Sequence, residues 1–143
     1  VISKNNDNFI SKIKKLSKTK KELSVINDQI TAINFSSYIS EATSKILKKI
    51  ENNPDNENRW GIYHLSGNEP GSWFDFARYA QKMNTLSDPN SSFSQTKILP
   101  ISSREFNQKA KRPNYSFLAS DKLKKDIGLS LPNWKKSISK VIG

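Results

Sequence analysis

The sequence predicts an α/β chain, a small mixed sheet with several helices around it. Apolar residues at helical spacing alternate along the chain with short β-branched runs, the pattern that builds mixed layers. The 143 residues, 34% of them apolar, suffice for one modest core, so we expect a single domain over residues 1–143. No Gly-x-Gly-x-x-Gly or Gly-x-x-Gly-x-x-Gly follows any predicted strand, so a complete doubly wound sheet is not expected.

Each element has a local cause. Phe9, Ile13 and Leu16 recur at i, i+4, i+7, predicting a helix from Asn8 to about Thr19 with Asn8 at the N-cap. Leu23, Val25 and Ile26 predict a strand over 22–27. A second amphipathic helix is expected over 37–51, with Ile39, Ala42, Ile46 and Ile50 on one face and Lys48 and Lys49 suited to its C-terminal dipole. The polar run from Asn52 to Asn58, broken by Pro54, reads as a loop, and Gly61 to Leu65 as a strand. Ser72, with Asp75 three residues on, opens a helix by the logic of a capping box. Ser87 to Ser92 reads as a loop, Lys97 to Ile101 as a strand, and Ser120 to about Ile127 as a short helix stopped by Gly128. A last helix starts near Pro132, carrying Trp134, Ile138 and Val141 on one face.

Composition bounds the function. Twenty-four Lys and Arg against 13 Asp and Glu give a formal charge of +11, which favours an anionic partner. Only four of the cations are Arg, the residue that reads guanine edges bidentately, which disfavours sequence-specific DNA readout. With no cysteine there is no disulfide, thiolate metal site or Cys nucleophile, which fits a reducing cytoplasm. No apolar run reaches the roughly 18 residues of a membrane span, and the N-terminus lacks a signal-peptide pattern. The chain begins at Val1 rather than Met, so we expect a piece of a longer protein.

Several runs in order carry a resemblance. They are Gly61-Ile62-Tyr63-His64-Leu65-Ser66-Gly67, Ser72-Trp73-Phe74-Asp75-Phe76-Ala77, Lys111-Arg112-Pro113-Asn114-Tyr115, and Leu131-Pro132-Asn133-Trp134. Val1-Ile2-Ser3 looks like the end of a mid-chain strand. Together they resemble the C-terminal, substrate-binding portion of dTDP-4-dehydrorhamnose reductases, extended short-chain dehydrogenase/reductases that reduce a nucleotide-linked keto-sugar. The resemblance implies that the Rossmann half lies outside this chain and is its partner. It also implies NADPH, magnesium use, a homodimer and dTDP-rhamnose supply for cell-surface polysaccharide, all for the parent protein. The superfamily's Tyr-x-x-x-Lys pair has no counterpart here, since Met follows Tyr79 and Ala follows Tyr115 at +4. No catalytic residue and no cofactor are therefore assigned to this chain.

Three residues are candidates for substrate binding. Arg112 carries a guanidinium able to grip a diphosphate bidentately, and Pro113 holds its backbone extended. The resemblance implies that contact; the alternative is a surface Arg among other cations. Asn8 matches the Asn-Phe that opens the corresponding helix, where relatives place an Asn against the nucleotide, although Asn is also an ordinary N-cap. Asp28-Gln29 resembles the start of an Asp-Gln-x-Gly-x-Pro-Thr loop, so Gln29 is the third candidate. Thr31, Ile33 and Asn34 depart from that pattern, which puts the pocket wall and the sugar in question.

The other notable side chains have structural readings. His64, the only histidine, reads as a hydrogen-bonded support. Trp73, Phe74 and Phe76 read as core, with a base-stacking platform as the alternative, and Trp134 as an anchor for the last helix. The lysines from Lys12 to Lys21 read as a solvated helix face. Their number keeps a rival open, a non-catalytic basic domain that binds nucleic acid or another polyanion.

Overall fold

The computed structural model describes residues 1–4, 7–53, 60–107 and 110–142. Helix α1 (Phe9–Ser17) buries Ile10, Ile13 and Ser17 and turns its lysines outward. Strand β1 (Glu22–Ile26) follows, then the two-residue β2 (Ile30–Thr31) and helix α2 (Ser36–Glu51). After 60–70, β3 (Gly71–Ser72) runs directly into α3 (Trp73–Ser87). One turn of helix, α4 (Ser92–Gln95), leads into β4 (Lys97–Ile101). The chain closes with α5 (Trp134–Ile142).

The expected small sheet is split into two ladders. Strands β1 and β4 pair in parallel, from Glu22 beside Lys97 to Ile26 beside Ile101. Strands β2 and β3 pair antiparallel, Ile30 with Ser72 and Thr31 with Gly71. Isolated bridges from Ile2 to Phe35, Ile30 to Tyr115 and Gly67 to Leu131 tie other segments alongside. Exposed Pro100 suits an edge strand, because it has no N–H to offer a further neighbour.

The core lies between α1, α3, α5 and the parallel ladder. Phe76, Ile10 and Ile138 are wholly buried there. Phe76 meets Trp73 and Trp134 edge-on, with ring centroids 5.9 and 5.1 Å away, and Tyr79 packs on Trp134 at 5.3 Å. Such edge-to-face pairs add to the burial itself. Trp134 thus anchors α5 against α3, and Phe76 belongs to the core as expected.

Three expectations change. Residues 61–65 form no strand. Ile62 is 82% exposed, and the segment is held by side chains: Tyr63 Oη donates to Asp126 at 3.2 Å, and Ser66 N donates to Ser120 Oγ at 3.3 Å. No residue of this run is fully buried, so its strand-like side chains alone do not make a ladder. The short helix ahead of Gly128 closes as a π-helical turn, Leu123–Ile127, which Gly128 ends at φ +72° in the left-handed region that glycine enters freely. In α2 only Ala42 is buried, so its predicted apolar face is only partly covered. Of the predicted loop from Asn52 to Asn58, residues 54–58 lie outside the described residues. No helix among the described residues is long and apolar enough to cross a membrane.

Candidate functional site

Parallel strands bring the loops that follow them to the same end of the ladder, where α/β folds place ligands. Here the loop after β1 carries Asp28 and Gln29, and the loop after β4 carries residues 102–107. A cleft of about 460 Å³ opens beside them. Phe9, Ile13 and Leu16 of α1, Val25 and Ile26 of β1, and Trp73 of α3 form its mostly apolar wall, with Phe106, Lys12, Gln29 and Arg112 around them. A second hollow of about 450 Å³ shares Gln29 and Arg112 and adds Arg104, Asn107, Lys111 and Asn114. The two compartments differ in chemistry: one is aromatic, the other polar and cationic.

Two helix starts build the aromatic wall. Phe9 is the first residue of α1 and Trp73 the first of α3, and their rings meet at 4.8 Å with a tilt of 55°. Each helix is fixed by a capping box. Asn8 Oδ1 accepts from Ile10 N at 3.0 Å and Ser11 N at 3.2 Å, while Ser11 Oγ accepts from Asn8 N at 2.8 Å. Ser72 Oγ accepts from Asp75 N at 3.0 Å, and Asp75 Oδ2 accepts from Ser72 N at 2.9 Å. Capping residues hold the entry direction of a helix, so the caps also aim the two rings.

Of the three sequence candidates, the structure brings two together. Gln29, 4% exposed, and Arg112, exposed, both line both compartments. Asn8 does not line either. Its Oδ1 caps α1, and its Nδ2 donates to Ser3 O at 2.9 Å, so it holds Phe9 rather than facing the cleft. His64 is exposed and its Nδ1 lies 3.1 Å from the Ala119 carbonyl, which makes it a tie between segments. Trp73, half-buried, joins the core edge and the cleft wall at once.

Sequence reasoning missed Phe9, Lys12, Arg104 and Phe106 as cleft residues. Only Phe9 had a local signal, its place directly after the cap. The charge balance of the cleft is one-sided. Lys12, Arg104, Lys111 and Arg112 line the two compartments, and no carboxylate does among the described residues. Four cations without an acid suit a multiply charged anion, while the aromatic wall suits a flat ring. Among the described residues no three His, Cys, Asp or Glu side chains gather at one place.

Residues 1–143 match the RmlD substrate binding domain. The chain belongs to that family. It is 33% identical over 142 residues to a dTDP-4-dehydrorhamnose reductase of Sinorhizobium fredii, covering 99% of this chain and 46% of the relative. It is 30% identical over 131 residues to the spore coat polysaccharide biosynthesis protein SpsK of Bacillus subtilis, covering 92% of this chain and 40% of that one. Its fold is similar to a dTDP-4-dehydrorhamnose reductase from Bacillus anthracis in complex with NADP, with a TM-score of 0.76 and 26% identity over 98% of this chain and 44% of that one. The chain therefore spans less than half the length of these relatives. The nucleic-acid alternative finds no support in them.

Proposed function

We propose that residues 1–143 form a single substrate-binding domain that holds a nucleotide sugar, a dTDP-4-dehydro-6-deoxyhexose, inside a larger NADPH-dependent reductase. The observation that carries this reading is the joined cleft, an aromatic wall beside four cations with no carboxylate among the described lining residues. Phe9 and Trp73 offer flat apolar surface to the base. Arg112, placed between the compartments, grips the diphosphate, and Gln29 orients the groups that pass beside it. NADPH supplies the hydride from a Rossmann half that is this chain's partner, which also brings the proton donor absent here. This domain contributes position: it fixes the sugar and excludes water, which lowers the entropic part of the barrier. The same reading puts the parent in the cytoplasm as a homodimer, supplying dTDP-rhamnose for cell-surface polysaccharide.

Titration of the chain with dTDP, followed by tryptophan fluorescence because Trp73 lines the cleft, tests the reading. Saturable binding is expected, and Arg112→Ala weakens it at least about tenfold, since a charge-assisted hydrogen bond contributes about 1.5–3 kcal/mol. Binding to a mixed DNA duplex that falls steeply with salt, with no preference for dTDP, overturns it.

A further inference from the structure

Two carboxylates near the cleft line neither compartment, yet both are committed to one loop. Backbone pairing continues one step past the parallel ladder, where Asn27 N donates to Ile101 O at 3.1 Å. This sets Asp28 beside the start of the 102–107 loop. Ser103 N donates to Asp28 Oδ1 at 2.9 Å and to Oδ2 at 3.0 Å, and Ser103 Oγ donates to Oδ2 at 2.9 Å. Within the loop, Ser102 N and Oγ donate to Glu105 Oε2 at 3.1 and 2.6 Å, and Glu105 N returns a bond to Ser102 Oγ at 3.2 Å. Asn107, at φ +49°, then turns the chain away.

That loop serves both compartments from a single turn. Phe106 faces the aromatic cleft, while Arg104 and Asn107 face the cationic hollow. Hydrogen bonds to an ionised carboxylate are among the stronger ones, and five of them converge on six residues. We infer that Asp28 and Glu105 are positioning residues that latch this loop, fixing the span between the Phe106 ring and the Arg104 guanidinium. A fixed span selects ligands that carry a ring and a diphosphate at matching separation over ligands that carry only one of them. The inference deepens the nucleotide-binding reading above and rests on it.

The test compares three ligands, dTDP, thymidine and inorganic pyrophosphate, on the wild-type chain and on Asp28→Asn and Glu105→Gln. Thermal melts establish which variants stay folded. A latch predicts that dTDP affinity falls on the order of tenfold in Asp28→Asn, the size of one weakened charge-assisted bond. Thymidine and pyrophosphate, each touching one compartment, stay within about twofold, on the ligand-independent strength of that compartment. A general structural loss would instead weaken all three in proportion, and that result overturns the inference, as does unchanged dTDP affinity in both variants. If the wild-type chain binds no dTDP, the nucleotide-binding reading fails separately, and amide exchange decides the latch. Slow exchange at Ser103 in the wild type, released in Asp28→Asn, supports it; fast exchange at Ser103 in the wild type ends it.

Discussion

Substituting Gly71 by Ala probes how tightly the start of α3 is held against the core. A Cβ at this position would stand 2.6 Å from Phe76 Cε1, 3.2 Å from Phe76 Cζ and 3.2 Å from Trp134 Nε1. The backbone itself tolerates alanine, since among the described glycines only Gly61 and Gly128 adopt positive φ. The ring cannot swing aside either. Phe76 is wholly buried and wedged between Trp73 and Trp134. Overpacking of this kind costs about 1–3 kcal/mol. Against it stands a gain of about 0.4–1 kcal/mol from stiffening the unfolded chain. The net expectation is a loss of about 1–2 kcal/mol, which for a chain of this size lowers Tm by roughly 5 °C. Calorimetry on four proteins separates sterics from other causes: wild type, Gly71→Ala, Phe76→Leu and the double variant. With the ring gone, Gly71→Ala should become neutral or mildly stabilising. A Gly71→Ala protein that melts at or above the wild type refutes the argument, and so does an equal cost in both backgrounds.

Two more predictions concern buried and charged groups. Ser137 Oγ is buried on α5 with no hydrogen-bond partner among the described residues, so Ser137→Ala should raise stability by roughly 1 kcal/mol through relief of that group and better helix propensity. A lower Tm would show that the hydroxyl has a partner after all. Hydrogen bonds from the Ser102 side chain, then its backbone, hold the Glu105 carboxyl below the usual glutamate range. Its contribution to the loop is therefore complete at neutral pH and above the ordinary glutamate value, and it is lost as pH falls through the lowered one. Nuclear magnetic resonance titration should show the Ser102 amide shifting with that acidic midpoint in the wild type and not in Glu105→Gln. A midpoint above the usual glutamate range contradicts the cause assigned.

What was legible in the sequence was local. The cap at Asn8 and the box of Ser72 with Asp75 are set by residues two or three apart, so their helices begin where a reader of spacing would start them. The pair β1 and β4 was legible as two apolar runs, though not as partners. Residues 61–65 misled because Ile62 and Leu65 look like strand residues, while strand formation depends on a neighbouring edge that spacing does not encode. The cleft was legible only in part. Gln29 and Arg112 came from a family resemblance, while Lys12, Arg104 and Phe106 are joined by folding across distant stretches and carry no signal of their own. Asn8 was singled out correctly as a cap, and the residue it places in the cleft is its neighbour Phe9.

The parallel ladder has a consequence in time as well as in space. Glu22 and Lys97 are 75 residues apart, and closing a loop of that length costs roughly 4 kcal/mol of chain entropy before any strand contact offsets it. Helices α1 and α3 can form early on local signals, but the two loops beside the cleft meet only after β4 has been made and docked. During synthesis the chain would therefore carry its aromatic wall well before its cationic side, and no ligand could be gripped by both until the β4 strand had left the ribosome.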